Sequence, residues 1–227
     1  MEAVKIDDRT YTIEDNGVRC LLFIGEERAM LVDTGFGNES LKAVVESLTD
    51  KPVMLVISHT DPDHIGNYRE FGAAHIHPSE IPNYFQSVDP DAQVVPIWEN
   101  DIIDVGGRKF EVVLIPGHTA GSIALLDREN RIIVTGDSVC STPVFMFGEG
   151  RSLISYIASM EKLLRMADAF DEIYPSHGAL PVPDGKAQIA KFIVSAKKML
   201  AGELSPQDPP FPAPAKMYMY DGVGFCI

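Results

Sequence analysis

The sequence predicts an α/β protein, and three observations carry that expectation. Short apolar runs of strand length recur between turn residues. Two windows, 39–48 and 152–166, space their apolar residues for one helical face. Strand after strand ends in a tight turn that carries a histidine or an aspartate, which is where α/β proteins place their chemistry. Of the 227 residues 45 % are hydrophobic and 23 % charged, enough apolar material to bury a core without staples. No repeat or compositional break divides the chain, so a single domain over residues 1–227 is expected.

The elements follow in order. Thr10-Tyr11-Thr12-Ile13, Val18–Ile24 and 29–33 are strands, separated by hairpin signals at Asn16-Gly17 and Gly25-Glu26-Glu27. The glycine-rich turn 34–38 leads into a helix over 39–48 with Leu41, Val44, Val45 and Leu48 on one face. A buried-type strand, 53–57, runs into Ser58-His59. Ala74-His75-Ile76-His77 is a short strand, Pro78-Ser79-Glu80 starts a helical turn, and 87–96 is expected to be a loop. A strand over 109–115 ends at Pro116-Gly117-His118. The segments 123–126 and 132–135 form a hairpin around Asp127-Arg128-Glu129-Asn130, and the second ends at Gly136-Asp137. Val144-Phe145-Met146-Phe147-Gly148 is expected to be an apolar loop with a glycine hinge. After the helix 152–166, the strand Glu172-Ile173-Tyr174 ends at Pro175-Ser176-His177-Gly178. The last helix, 184–200, gives way to a proline-rich extended stretch, 206–214, and a terminal strand over 217–227.

Charge and composition exclude several classes. The formal net charge is −14, with a pI near 4.7, which argues against a nucleic-acid partner held by general electrostatics. No run of 18 apolar residues exists, so no membrane span is expected. The N-terminus, Met1-Glu2-Ala3-Val4-Lys5-Ile6-Asp7-Asp8, lacks the basic and apolar regions of a signal peptide. Cys20, Cys140 and Cys226 are an odd number at wide spacing, which fits a reduced, cytoplasmic protein better than a disulfide scaffold.

The densest chemistry lies in His59-Thr60-Asp61-Pro62-Asp63-His64. Four side chains of metal-ligand type within six residues concentrate negative charge at the mouth of a buried strand, and a cation relieves that repulsion. Mixed His and Asp donors suit zinc, iron or manganese rather than calcium. The plainer alternative is an aspartate capping a helical turn beside histidines exposed by chance.

In sequence order the chain also carries Asp33-Thr34-Gly35, Ile65-Gly66-Asn67 directly after the cluster, Gly117-His118-Thr119-Ala120-Gly121-Ser122, Thr135-Gly136-Asp137-Ser138 and Pro175-Ser176-His177-Gly178. With these motifs the chain resembles the metallo-β-lactamase-fold superfamily over nearly its whole length. The resemblance implies a four-layer αβ/βα sandwich and two divalent metal ions. It assigns His59, Asp61 and His118 to the first ion, Asp63, His64 and His177 to the second, and Asp137 as their bridge. Asp33 becomes a carboxylate that orients the ligand loop, and Asp63 a group able to accept a proton as well as ligate.

One position departs from the family's usual His-x-His-x-Asp-His cluster: its second histidine is Asp61 here. With two carboxylates and a hydroxide, a pair of divalent ions keeps a net positive charge, and a third carboxylate cancels it. A harder, more anionic set weakens zinc as a Lewis acid and favours iron or manganese. The cluster is similar to that of the flavodiiron proteins, which carry His-x-Glu-x-Asp-His. Those proteins also have a flavodoxin domain, for which a chain ending at Ile227 is expected to have no room. The surroundings of His118 and Asp137 resemble the hydrolase branch instead.

The expected function is therefore hydrolysis of an ester, thioester, lactone or related small-molecule bond by a metal-bridged hydroxide. The alternative is a di-iron oxidoreductase, or an oxygen or nitric oxide sensor, with an external electron donor. A small-molecule substrate, no nucleic acid, no membrane and a homodimer complete the expectation. Tyr68, Tyr84 and Tyr156 are candidate oxyanion donors, and Arg69 and Arg151 candidate anion contacts, each set against an ordinary structural role. His75 and His77 are expected to share a strand face, and Cys140 to be a small buried hydrophobe.

Overall fold

Between residues 10 and 32, runs of buried apolar side chains alternate with turn residues, and a sheet is the arrangement that satisfies both. A computed structural model describes residues 1–211 and 213–227, which divide into two units, Met1–Val113 and Leu114–Ile227. Pro212, within the stretch expected to be extended, lies outside the described residues.

The first unit holds β1 (Glu2–Asp7), β2 (Thr10–Asp15), β3 (Val18–Ile24), β4 (Ala29–Val32), α1 (Leu41–Leu48), β5 (Val53–Val56), β6 (Ala74–Ile76), α2 (Ile81–Ser87), β7 (Val94–Pro96), β8 (Ile102–Asp104) and β9 (Lys109–Leu114), the last ending one residue past the unit's boundary. Strands β1 to β7 form one sheet in chain order. Its first four strands are antiparallel, and β4 to β7 are parallel. Asn16 and Gly17 join β2 to β3 with both φ angles positive, 53° and 93°, as a two-residue type I′ hairpin requires. Helix α1 starts at Leu41 because the Ser40 side chain caps it, accepting from the Ala43 N–H at 3.3 Å. It buries Leu41 and Val45 against Leu31, Leu55 and Ile76 in one core.

Three expectations change in this unit. Residues 2–7 form an edge strand whose six residues are all exposed, so no burial pattern marks it. The segment 87–96 is a loop only in part, because β7 pairs in parallel with β6, its Pro96 on the sheet edge where a missing N–H costs nothing. His75 and His77 do not share a strand face. β6 stops at Ile76, and the His77 ring instead accepts from the Ser79 N–H at the head of the turn Pro78–Glu80.

In the second unit β10 (Ile123–Asp127) and β11 (Ile132–Gly136) form the expected hairpin, and β13 (Glu172–Pro175) lies parallel to β11. A separate three-stranded sheet orders β12 (Val144–Phe145), β15 (Val223–Cys226) and β14 (Met217–Tyr220). Two corrections belong here. The apolar loop at 144–148 begins as a strand, because buried Val144 and its neighbour Phe145 pair in parallel with Phe225 and Cys226. The tail is a hairpin rather than one strand, turned by Asp221 and Gly222 at φ 48° and 83°. Helices α3 (Leu153–Arg165) and α4 (Gly185–Leu200) pack together, and the rings of Tyr156, Phe192 and Phe225 meet beneath them at 5.2 to 6.0 Å. Among the described residues no helix is long and apolar enough to cross a membrane.

Candidate metal centre

Parallel strands bring the loops after β4 and β5 to the same sheet edge, and these loops bind each other. The Thr34 N–H and hydroxyl donate to the His64 carbonyl at 2.8 and 3.1 Å, and the Gly66 N–H donates to the Gly35 carbonyl at 2.8 Å. The Asn67 side chain donates to the Thr34 carbonyl at 2.9 Å. The approach is so close that a Cβ on Gly66 would stand 2.2 Å from the backbone carbon of Phe36, which only glycine permits.

Asp33 ends β4 in the left-handed region, at φ 65°, and is fully buried. Its Oδ1 accepts from the Ser58 N–H at 2.7 Å, and its Oδ2 from the Ser58 hydroxyl at 2.6 Å. The same Oδ2 lies 2.8 Å from His64 Nδ1. A carboxylate accepts, so Nδ1 of His64 carries the proton. Since the Ser58 hydroxyl gives its hydrogen to Asp33, it must accept at its 3.0 Å contact with His59 Nδ1. One buried carboxylate thus sets the tautomer of both histidines and leaves each Nε2 with its lone pair outward.

Those nitrogens face carboxylates. His59 Nε2 lies 3.7 Å from Asp61 Oδ2, and His64 Nε2 lies 3.6 Å from Asp63 Oδ2. Asp61 precedes the short 3₁₀ turn Pro62–His64, yet its side chain makes no capping bond there, so the capping alternative does not hold. A further brace comes from the start of α2. The buried Glu80 carboxylate accepts from the Thr60 N–H at 2.9 Å and its hydroxyl at 2.6 Å, and Asn83 donates to the same hydroxyl at 2.8 Å. Thr60 sits between two ligand-type residues, and no motif pointed to Glu80 or Asn83.

In the second unit His118, Asp137 and His177 follow β9, β11 and β13. His118 is fully buried, and its Nδ1–H donates to the Phe145 carbonyl at 2.6 Å. Its Nε2 lies 3.8 Å from Asp137 Oδ2, and His177 Nε2 lies 3.4 Å from the same oxygen. Gly117 precedes His118 at φ 146°, where a Cβ would stand 2.4 Å from the Tyr156 backbone. The Arg151 guanidinium donates to the His118 carbonyl. This bond ties Arg151 to the loop that carries His118.

These four nitrogen-to-carboxylate separations, 3.4 to 3.8 Å, are too long for hydrogen bonds. They match donors around a shared ion: bonds of about 2.1 Å in a tetrahedron put neighbouring donors about 3.4 Å apart. Imidazole lone pairs oriented from behind, with carboxylates alongside, are the donor chemistry of a transition metal. The residues present therefore fit the metals that the sequence implies.

Other candidates take structural roles. The Tyr156 hydroxyl donates to the Ser138 carbonyl at 2.6 Å inside the core, and burial pushes its pKa well up. Tyr84 is buried, and its hydroxyl is pushed up to about 12 by that burial. Tyr68 accepts from the Asp89 N–H at 2.8 Å, and Arg69 pairs with Asp89 at 2.6 Å on the surface. Cys140 is buried beside the Thr142 and Asp137 carbonyls, and burial pushes its thiol up to about 12.

Comparison with known proteins agrees. The sequence profile of the metallo-beta-lactamase superfamily matches residues 13–177. The acyl-coenzyme A thioesterase MBLAC2 of Homo sapiens is 25 % identical over 214 residues, with 76 % of each chain covered. Hydroxyacylglutathione hydrolase GloC of Haemophilus influenzae is 28 % identical over 170 residues, covering 65 % of this chain and 79 % of its own. Among solved structures, a metallo-beta-lactamase from Pontibacter korlensis superposes with a TM-score of 0.70 at 19 % identity, over 85 % of this chain and 98 % of that one.

Proposed function

Because the chain belongs to the metallo-beta-lactamase superfamily, we propose that it is a metal-dependent hydrolase of thioesters. The observation that carries this reading is the pair of donor sets, each with imidazole Nε2 atoms fixed from behind and turned toward a carboxylate. The similar thioesterase and hydroxyacylglutathione hydrolase support a thioester over the wider range of ester, lactone and amide bonds.

In this proposal His59, Asp61 and His118 hold one ion, Asp63, His64 and His177 the other, and Asp137 serves both. Bound divalent ions supply activation of the attacking water and polarisation of the carbonyl. The chain's own residues do the rest. Asp33 sets the two histidine tautomers through Ser58 and His64 Nδ1 and takes no proton itself. Asp63, partly open to solvent with 19 % of its side chain exposed, takes the proton of the attacking water. Water adds its oxygen to the carbonyl carbon, the C–S bond breaks, and the thiolate leaves to be protonated, giving one carboxylate, one thiol and one proton.

Asp61 bears on which metal is held. A third carboxylate makes the donor set harder and more anionic, which favours iron or manganese over zinc. Elemental analysis of protein purified without added metal tests this, and zinc alone would overturn it. The three buried free cysteines fit a reducing, cytoplasmic setting.

The reaction is tested on acyl thioesters of N-acetylcysteamine by following thiol release before and after chelation. Release that chelation abolishes and metal restores is expected. A fully metallated protein that hydrolyses no member of the panel would overturn the reading.

A further inference from the structure

Arg151 stands one residue before the cap of α3, and hydrogen bonds on both sides fix it there. The Ser152 side chain caps α3, accepting from the Ser155 N–H at 3.2 Å. The Ser152 N–H donates to the Gly117 carbonyl at 2.9 Å, and Arg151 Nη1 donates to the His118 carbonyl. The same Nη1 lies 3.4 Å from His118 Nε2 and 3.5 Å from its Nδ1. Near-equal reach to both ring nitrogens puts the guanidinium over the face of the imidazole, because an in-plane approach between them runs into Cε1. Such stacking suits a planar guanidinium, which is always charged. A permanent positive charge therefore sits beside Nε2, the nitrogen of His118 that is left as a donor.

The ligand-type histidines are backed differently. Behind His64 is the Asp33 carboxylate, 2.8 Å from its Nδ1. Behind His118 is a neutral carbonyl, that of Phe145, at 2.6 Å. A carboxylate behind the ring makes Nε2 the stronger donor. The ion assigned to His118 thus has the weaker imidazole and a cation beside it, and the ion assigned to His64 has the stronger one. Asp61 gives the first ion one negative charge more than the family's usual histidine does, and Arg151 brings a positive charge that offsets it.

We propose that Arg151 is a built-in counter-charge that loosens the ion on His118, so that the two ions are held unequally: the one on His64 stays, and the one on His118 exchanges with free metal. This rests on the metal assignment of the hydrolase reading and goes further, because it makes full activity depend on the supply of metal. Arg151 acts through His118 and is a positioning residue.

The test titrates metal-free protein with zinc against a colorimetric chelator. The wild type should take up two ions in separate steps, and His118→Asn should remove the weaker step and keep the tighter one. Arg151→Gln keeps an N–H donor and Arg151→Met keeps only bulk, but both lose the charge. Each should tighten the weaker step at least about tenfold, since a unit charge beside a doubly charged ion is worth that much even when well screened. A second ion taken up only by these two variants is the same result at its extreme. Arg151→Lys, which keeps the charge, should stay near the wild type. A clamp that acted only by holding the His118 loop would loosen the step in Arg151→Met. Equal steps in the wild type, loss of the tighter step in His118→Asn, or a weaker step that Arg151→Met leaves unchanged or loosens would overturn the proposal. The wild-type and His118→Asn titrations decide it even where an Arg151 variant does not fold. None of these measurements needs turnover. Two unequal ions with no thioester hydrolysed would sink the hydrolase reading and leave the proposal standing. Thioester hydrolysis with two equal ions would do the reverse, and a protein that binds no ion would sink both.

Discussion

At His64 a single buried carboxylate decides what the ring can do. Asp33 accepts from the His64 Nδ1–H and from both Ser58 donors, so Asp33→Ala strands those donors and frees the ring to turn. Metal affinity, read by competition with a colorimetric chelator, should fall about 10- to 100-fold. Asp33→Asn, which keeps an acceptor, should lose less. Asp61→His restores the commoner donor set, and the zinc-to-iron ratio of protein purified without added metal should rise. An unchanged ratio would remove the charge argument. Tyr84 gives a prediction in pH. Its folded pKa, pushed up to about 12 by burial, lies above the ordinary tyrosine value of about 10, so its contribution to stability is complete below about pH 10 and is lost as pH rises toward 12. Tyr84→Phe should flatten that alkaline loss in denaturation curves run from pH 9 to 12. The ligand-type residues were legible because each sits in a short local motif after a strand. Their supports were not. Phe145 accepts from His118 across 27 positions and Glu80 from Thr60 across 20, and no local pattern encodes such a pairing.

At the scale of elements, close approaches at Gly66 and Gly117 hold the donor loops in place. Gly117 lies against the backbone of α3 at Tyr156, and the Ser152 N–H that caps the approach donates to the Gly117 carbonyl at 2.9 Å. Gly117→Ala should cost about 1–3 kcal/mol in chemical denaturation and displace His118 enough to weaken metal binding in the same protein. Elements were legible wherever burial wrote a period into the sequence. β4 is apolar throughout and β3 is apolar except for Arg19 because the sheet buries them, with six of the seven β3 residues and all four of β4 buried, and the Asn16-Gly17 signal named its own hairpin. The missed elements lack such a period. β1 is exposed along its whole length, and β12 has only two residues and depends on a strand far along the chain. The C-terminal hairpin is a different case: Asp221-Gly222 is as good a turn signal as Asn16-Gly17.

For the whole molecule, the net charge of −14 is distributed by role rather than spread evenly. Asp61, Asp63 and Asp137 face imidazole nitrogens, and Asp33 is buried among donors. Removing a cation from such a set leaves like charges close together, so chelation should lower the Tm and readdition restore it. With metal at 100 times its dissociation constant the linkage is about 2.7 kcal/mol, readable by calorimetry with and without chelator. A Tm indifferent to chelation would mean that the donor sets hold no ion.

The pairing of β12 with β15 also sets a timetable. Among the described residues β12 has no other strand beside it, and its Phe145 carbonyl is what holds the His118 ring. On the ribosome His118 emerges long before Val223–Cys226, so for most of synthesis that ring has no fixed acceptor. The donor set of the second unit is completed only when the hairpin closes. A nascent chain stopped before residue 223 should therefore bind metal weakly in the second unit, however well its earlier strands have formed.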